Sequence, residues 1–187
     1  PLALALTAHL LGCGGDPSDA ASASDTTDTD TDTDTAPADP QLLLDHALWA
    51  PADPATDPLA AHRPLGAECG LGGWYLELDE LEINTNLCTY ADLVQPALVP
   101  VPAGARLRLA LRHYDLSAPA PAQAHAALLL GDALVWERTL PIPGSAAVYN
   151  DEVTIDASVP AGAPVRLHLH NHGQNTWIFG AIAVTAP

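Results

Sequence analysis

The chain has 187 residues, in which 6 lysine and arginine residues stand against 23 aspartate and glutamate residues, and its formal net charge is −17. It has no basic stripe that could displace the counterions of a phosphate backbone, which excludes nucleic acid as a partner. The length leaves room for one ordinary domain together with unstructured tails.

Residues 1–12 form an apolar segment of the length expected for the hydrophobic part of a signal peptide, and this segment is too short to span a bilayer. Leu10, Gly12 and Cys13 resemble the lipobox of bacterial lipoproteins. This resemblance implies that Cys13 is lipidated, that residues 1–12 are removed, and that acyl chains anchor the protein in a membrane. Gly14 then favours the outer membrane of a Gram-negative bacterium. We expect the signal peptide recorded in this sequence to lack a few N-terminal residues.

Residues 13–40 are an acidic linker rich in Asp and Thr, with no large apolar side chain. Burial cannot offset the entropy of ordering such a segment, so we predict a disordered tether. Its Asp-Thr alternation is similar to that of calcium loops, but the glycine and the final glutamate of an EF-hand are missing, which favours a spacer. Residues 41–68 contain too many prolines for a long helix. We predict that they pack irregularly on the edge of the following domain, with His46 and His62 nearby.

Residues 69–187 consist of short apolar stretches separated by Pro/Gly turns, and they predict an all-β domain. In the stretch ARLRLALRHY, the leucines 107, 109 and 111 alternate with polar residues and are predicted to point inward. Gly131 and Asp132 join two strands as a hairpin turn. One extra residue in the apolar alternation of WYLELDELEIN predicts a β-bulge near Asp79 and Glu80.

The number and spacing of these strands favour an antiparallel two-sheet β-sandwich, or jelly roll. With the domain size and the lipoprotein setting, they resemble the galactose-binding-like domains and carbohydrate-binding modules of bacterial surface proteins. This resemblance implies a glycan, a polar small molecule or another envelope component as the partner. Cys69 and Cys88 are the pair that remains if Cys13 carries lipid, and the oxidising environment of an exported protein predicts a disulfide between them.

The stretch VRLHLHNHGQNTW places histidines at alternate positions of a predicted strand. Its apolar residues share one face, so His168 and His170 are predicted on the opposite, outward face. Their Cα atoms would lie about 6.6 Å apart, close enough for both imidazoles to reach one Zn or Cu ion. Further ligands would come from elsewhere, and His113 and His125 are candidates because they flank one loop.

The same histidines are similar to the first motif of the cupin family, through Gly162, His168 and His170. That resemblance implies a metal-dependent oxygenase. Gln174 stands where the motif has glutamate, the spacing to Gly180 is one residue short, and no second motif follows. These departures disfavour cupin chemistry.

Two further interpretations of the segment remain open. It can be a loop that binds a ligand, because flat aromatic and amide groups suit sugars and polar small molecules. The candidate ligand-binding residues are Asn171, His172, Gln174, Asn175 and Trp177. Alternatively, Asn171, Gly173 and Asn175 form a tight turn, since these residue types tolerate left-handed conformations. We favour the turn over a metal site.

The acidic residues Glu77, Asp79, Glu80 and Glu82 form a second cluster. Adjacent acids on a strand point to opposite faces, which favours a solvated edge or a structural calcium site over a glycosidase pair. The sequence has no nucleophile elbow, no P-loop, no HExxH motif and no lysine. It therefore predicts a binding or structural module rather than an enzyme, with a metal-binding protein or metal-dependent enzyme as the alternative.

Overall fold

The computed structural model describes residues 39–187. The predicted signal peptide, the lipidation site Cys13 and nearly all of the predicted tether lie outside these residues. The strands are β1 (Gln41–Leu42), β2 (Ala50–Pro51), β3 (Trp74–Glu77), β4 (Glu80–Asn84), β5 (Tyr90–Pro96), β6 (Arg106–His113), β7 (Ala122–Leu130), β8 (Ala133–Ile142), β9 (Ala147–Thr154), β10 (Pro164–His170) and β11 (Thr176–Thr185). Three 3-10 turns occupy His46–Leu48, Pro54–Thr56 and Ala60–His62. In this part of the chain, no helix is long and apolar enough to cross a bilayer.

The strands form two antiparallel sheets, which confirms the predicted all-β sandwich. The six-stranded sheet has the order β3-β4-β11-β6-β9, with β1 also paired to β11. The five-stranded sheet has the order β2-β5-β10-β7-β8. Consecutive strands often change sheet, so β10 at the centre of one sheet is followed by β11 at the centre of the other.

The core lies between the sheets and follows the predicted alternation. Leu107, Leu109 and Leu111 of β6 are buried, whereas Arg106 and Arg108 on the other face are exposed. Trp177 and Phe179 of β11 are among the largest fully buried side chains and fill the same layer. Burial of an aliphatic or aromatic side chain of this size stabilises a fold by about 1.5–3 kcal/mol.

Strand β10 departs from the sequence prediction on one face. Leu167 and Leu169 point into the core, as predicted. The opposite face was predicted to be wet, but Arg166 is only 8% exposed and His168 only 1%. Residues 50–63 cover this face. The cover could not be predicted, because a proline-rich segment without regular periodicity does not indicate the surface on which it packs.

The β3–β4 connection corrects a second prediction. The predicted bulge near Asp79 and Glu80 is instead a two-residue hairpin turn, in which Leu78 and Asp79 have φ angles of 52° and 63°. Two residues with positive φ are typical of the turn that matches the twist of paired strands. The chain reverses direction at this turn, and this explains the extra residue in the alternation of apolar side chains between β3 and β4. The hairpin predicted at Gly131 and Asp132 is present between β7 and β8.

The predicted disulfide between Cys69 and Cys88 is confirmed. The two cysteines are separated by 19 positions in the sequence, and a closed loop of that length contributes about 3 kcal/mol on the chain-entropy model. Gly73 lies inside this loop, and a Cβ atom there would come within 2.8 Å of the Cys88 Cβ. The two sides of the disulfide loop therefore pack too closely on each other for any larger residue at position 73.

Candidate functional site

Three histidines from distant parts of the sequence converge on the outer face of the five-stranded sheet. They are His168 of β10, His125 of the neighbouring strand β7, and His62 of the last 3-10 turn. One ring nitrogen from each lies within 4.8 Å of the other two. Among residues 39–187, this is the one group of three or more His, Cys, Asp or Glu side chains arranged closely enough to hold a metal ion.

The sheet positions two of these histidines. His125 and His170 are direct partners in the antiparallel register of β7 and β10, and His168 lies next to them on the same face. The rings of His125 and His168 are 5.2 Å apart between centroids. Alternation along each strand therefore brings both side chains to the face that residues 50–63 cover.

Polar contacts hold the covering segment and so position His62. The Tyr90 hydroxyl donates to the Asp57 carboxylate and also lies 3.2 Å from the Leu59 carbonyl oxygen. Arg63 lies 4.3 Å from the Tyr90 ring centroid and pairs with Asp57. These contacts fix both sides of the Ala60–His62 turn. Burial alone would raise the pKa of Asp57, but the hydrogen bonds from Tyr90 and Arg63 outweigh it and lower this pKa.

The spacing of the ring nitrogens suits a shared ligand atom. Nδ1 of His62 and Nδ1 of His125 are 3.2 Å apart. Nitrogens bound at about 2.0–2.1 Å to a tetrahedral zinc ion lie about 3.3 Å from one another. In the metal-free protein, the same distance allows one neutral ring to donate a hydrogen bond to the other.

A carboxylate sets the proton position on His125. Its Nε2 lies 2.9 Å from Oε2 of Glu137, on the adjacent strand β8. If Nε2–H donates to Glu137, the free electron pair of the neutral ring is on Nδ1. Nδ1 is also the atom that faces His62. Carboxylates orient metal-binding histidines in the same way.

His168 lacks any polar partner. Neither of its ring nitrogens makes a hydrogen bond, although both are buried. It is packed against the rings of Tyr90, His62 and His125, at centroid distances of 4.9, 5.7 and 5.2 Å. Burial, followed by the charge of His125, lowers the pKa of His168 to about 3, so the ring stays neutral near pH 7. An unsatisfied buried polar group costs about 1–3 kcal/mol.

A groove opens beside the three histidines. It has a volume of about 430 Å³ and borders His62 and His125, and His170 and His172 form part of its wall. Nε2 of His170 is buried without a partner. Burial, followed by His172, lowers the pKa of His170.

The structure separates the four histidines that the sequence suggested as metal ligands. His168 and His125 belong to the cluster, but His170 lies beside it. His113 is on β6 of the other sheet, where it points into the core and packs 4.9 Å from the Trp177 ring. It therefore cannot meet His168, which points away from the core. His62 could not be assigned to the cluster from the sequence, because its segment has no periodic pattern.

The residues suggested as a ligand-binding loop mostly serve the loop itself. Asn171, Asn175 and Trp177 are buried. The Trp177 indole nitrogen donates to Asn171 Oδ1 at 3.2 Å, and the Ser117 backbone nitrogen donates to Asn175 Oδ1 at 2.7 Å. Asn171 Nδ2 donates to Thr85 Oγ1 at 3.0 Å. These groups are engaged within the protein, and of the suggested set only His172 and Gln174 are exposed.

The acidic residues of the β3–β4 hairpin do not converge on one point. Glu80 accepts two hydrogen bonds from Arg112, and this pairing lowers the pKa of Glu80. Glu82 accepts from the Tyr75 hydroxyl. Two of the four carboxylates that were candidates for calcium ligands are thus engaged by different partners.

No protein-family model matches this sequence, and no curated protein is found to be similar to it. Solved structures with a similar backbone include carbohydrate-binding modules and adhesin domains. The K3 cleaved adhesin domain of Lys-gingipain from Porphyromonas gingivalis W83 is 13% identical, with a TM-score of 0.49 over 79% of this chain and 100% of that one. The K1 domain of the same protein is 15% identical, with a TM-score of 0.44 over 74% and 90%. A CBM4 structure is 12% identical, with a TM-score of 0.43 over 74% and 94%.

The first prediction concerns Gly173, whose φ angle is +89° and where a Cβ atom would lie 1.9 Å from the Ser117 carbonyl oxygen. Gly173→Ala should lower the free energy of unfolding by more than about 3 kcal/mol, because strain and a clash with fixed backbone add together. Gly162→Ala is the matched control, since Gly162 has a φ angle of +82° and open space around it. It should cost only about 1 kcal/mol. Equal losses in urea unfolding would contradict the prediction.

The second prediction concerns His168 in chelator-treated protein. The unfolded chain takes up a proton at His168 below about pH 6.5, whereas the folded chain does so only near pH 3. The contribution of the neutral ring to stability is therefore complete above pH 6.5 and is lost as the pH falls. Between pH 6.5 and 5, this contribution to the free energy of unfolding should decrease by about 2 kcal/mol. His168→Leu should remove this part of the loss, so its stability relative to the wild type should increase as pH falls. A difference that stays constant between pH 7 and pH 5 would refute the assignment.

Proposed function

We propose that this protein is an exported, lipid-anchored β-sandwich module that binds a divalent transition-metal ion through His62, His125 and His168. One observation carries the proposal. His168 has two buried ring nitrogens without partners, and it faces two other imidazoles. A buried imidazole in this state is costly to the fold, and coordination of a metal ion would give one of the two nitrogens a partner.

The chemistry of the donors selects the kind of ion. Three imidazole nitrogens suit Zn²⁺ or Cu²⁺, whereas Ca²⁺ and Mg²⁺ prefer oxygen ligands. Glu137 supports this assignment, because it orients His125 and adds negative charge next to the ion. Cu²⁺ binds such donors more tightly than Zn²⁺, so the metal held in the cell depends on supply as well as on the site.

A glycan-binding role has less support from the geometry. Asn171, Asn175 and Trp177 were the residues expected to contact a sugar, and their polar atoms are engaged inside the protein. The histidine cluster is therefore the better candidate for the binding site of this module.

The proposed location rests on the sequence alone. Leu10, Gly12 and Cys13 support attachment to a bilayer through acyl chains, and Gly14 supports the outer membrane of a Gram-negative bacterium. Residues 13–40 would hold the β-sandwich away from the lipid on a self-repelling acidic chain. The metal site would then meet ions supplied from outside the cytoplasm.

The third prediction tests the metal site. Zn²⁺ at about 100 times its Kd should stabilise the untagged protein by about 2.7 kcal/mol, and the melting temperature should rise by several degrees at pH 7.5. The rise should shrink at pH 5, because coordinating imidazoles must be neutral. His62→Ala, His125→Ala and His168→Leu should each abolish it.

His172→Ala is the matched control for these variants, because it removes an exposed imidazole close to the cluster but outside it. This variant should keep the zinc response. A response that survives in all three cluster variants, or that is missing from the wild type with both Zn²⁺ and Cu²⁺, would refute the proposed function.

The fourth prediction concerns the anchor. Cys13→Ser should abolish palmitate labelling in a bacterial host and leave a larger, unprocessed precursor, because acylation precedes cleavage in lipoproteins. The double variant Cys69→Ser with Cys88→Ser should keep the label. Normal processing of Cys13→Ser would contradict the lipoprotein assignment without affecting the metal site.

A further inference from the structure

We infer that the metal ion keeps an open coordination position that faces the histidine-lined groove and takes a small carboxylate or similar oxyanion from solution. The inference rests on the proposed metal site and concerns what that site binds in turn. Closed zinc sites have four protein ligands, whereas sites with three protein ligands keep one position for an exchangeable group. The structure assigns three.

A fourth protein ligand is missing among the described residues near the cluster. Asp57 is engaged by Tyr90 and Arg63, and Glu137 is engaged by His125. The Tyr90 hydroxyl is engaged in the same way, because it donates to Asp57.

His170 is the nearest additional imidazole, but it does not belong to the group whose nitrogens lie within 4.8 Å of one another. Its ring packs against Tyr90 and His172, at centroid distances of 6.0 and 4.7 Å. It lines the groove instead of closing the site.

The groove connects the open position to solvent. Its wall includes His62 and His125, which are two of the three ligands, whereas His168 lies beneath it. A volume of about 430 Å³ accommodates a ligand of several non-hydrogen atoms. Gln123 and Thr139 add polar groups to the wall.

The charge and hydrogen-bonding groups of the groove indicate the class of ligand. Three neutral imidazoles add no negative charge to offset the two positive charges of the ion. Glu137 lies behind His125, and Asp57, whose charge also acts on His168, is paired with Arg63. An anion at the open position would reduce this charge. His170 lines the groove, and its Nε2 is buried without a partner, so a small rotation of the ring toward the groove would let it donate to an acceptor on the same ligand. A carboxylate has one oxygen for the ion and a second for His170.

The test uses the full-length, detergent-solubilised chain loaded with Co²⁺ in place of zinc, because the visible absorption of Co²⁺ reports the coordination number and ligand type. Acetate and azide are the probes. Each should change the spectrum saturably while the bound Co²⁺ content stays constant on dialysis. A spectrum that responds to neither probe, with Co²⁺ bound, would overturn the open position. Failure of the wild type to bind Co²⁺ would instead refute the metal site itself.

Variants of the groove complete the test. His170→Leu should keep Co²⁺ binding and weaken acetate binding about tenfold, as expected for the loss of one hydrogen bond of ordinary strength. Tyr114→Leu is the control, because it replaces an exposed ring that does not line the groove, and it should leave acetate affinity unchanged. Loss of Co²⁺ from His170→Leu would identify His170 as a fourth ligand and overturn the inference. Unchanged acetate affinity in His170→Leu would refute the contact assigned to this residue.

Discussion

Strand β10 is buried on both faces, and the candidate site depends on this constraint. One face carries leucines into the core, and the other carries Arg166 and His168 under residues 50–63. Buried polar groups need partners, since water cannot satisfy them. Arg166 has them, because it pairs with Asp92 at 3.0 Å and donates to Thr56 Oγ1 at 2.6 Å. His168 has none, so of these two buried side chains only Arg166 is satisfied.

The covering segment is held mainly by polar contacts rather than by a second hydrophobic core. Such contacts contribute little net free energy, because each replaces contacts with water, and a buried ion pair such as Arg166–Asp92 can cost as much in desolvation as it gains. Burial accordingly raises the pKa of Asp92 despite the nearby arginine. An ion bound by His62, His125 and His168 would join this segment to two strands of the sheet, and its binding free energy would add to the stability of the cover.

The sequence predicted those parts of the fold in which a regular pattern is tied to burial. The leucines of β6 and β10, the hairpin at Gly131 and the cysteine pair followed from alternation, turn chemistry and pairing of cysteines. The covering segment could not be predicted, because a proline-rich chain has no period that indicates its contact surface. The predicted set of metal ligands therefore omitted His62 and wrongly included His113. The alternation along β6 already placed His113 on the inward face, with Leu107, Leu109 and Leu111. The asparagines of the β10–β11 loop were ambiguous for another reason, since the same amides suit a turn and a ligand.

The side chain of His168 is best explained by a ligand rather than by the fold. An apolar residue of similar size at this position would pack against Tyr90 without leaving two polar atoms unsatisfied, so stability alone favours a residue other than histidine. Residues that lower the stability of a fold without a structural benefit are typical of functional sites. Glu137 strengthens this interpretation, because it fixes the proton of His125 on the far nitrogen and leaves the near one free. This orientation also lets Nδ1 of His125 accept a hydrogen bond from His62 in the metal-free protein, but that bond leaves His168 without a partner, whereas an ion would bind all three rings.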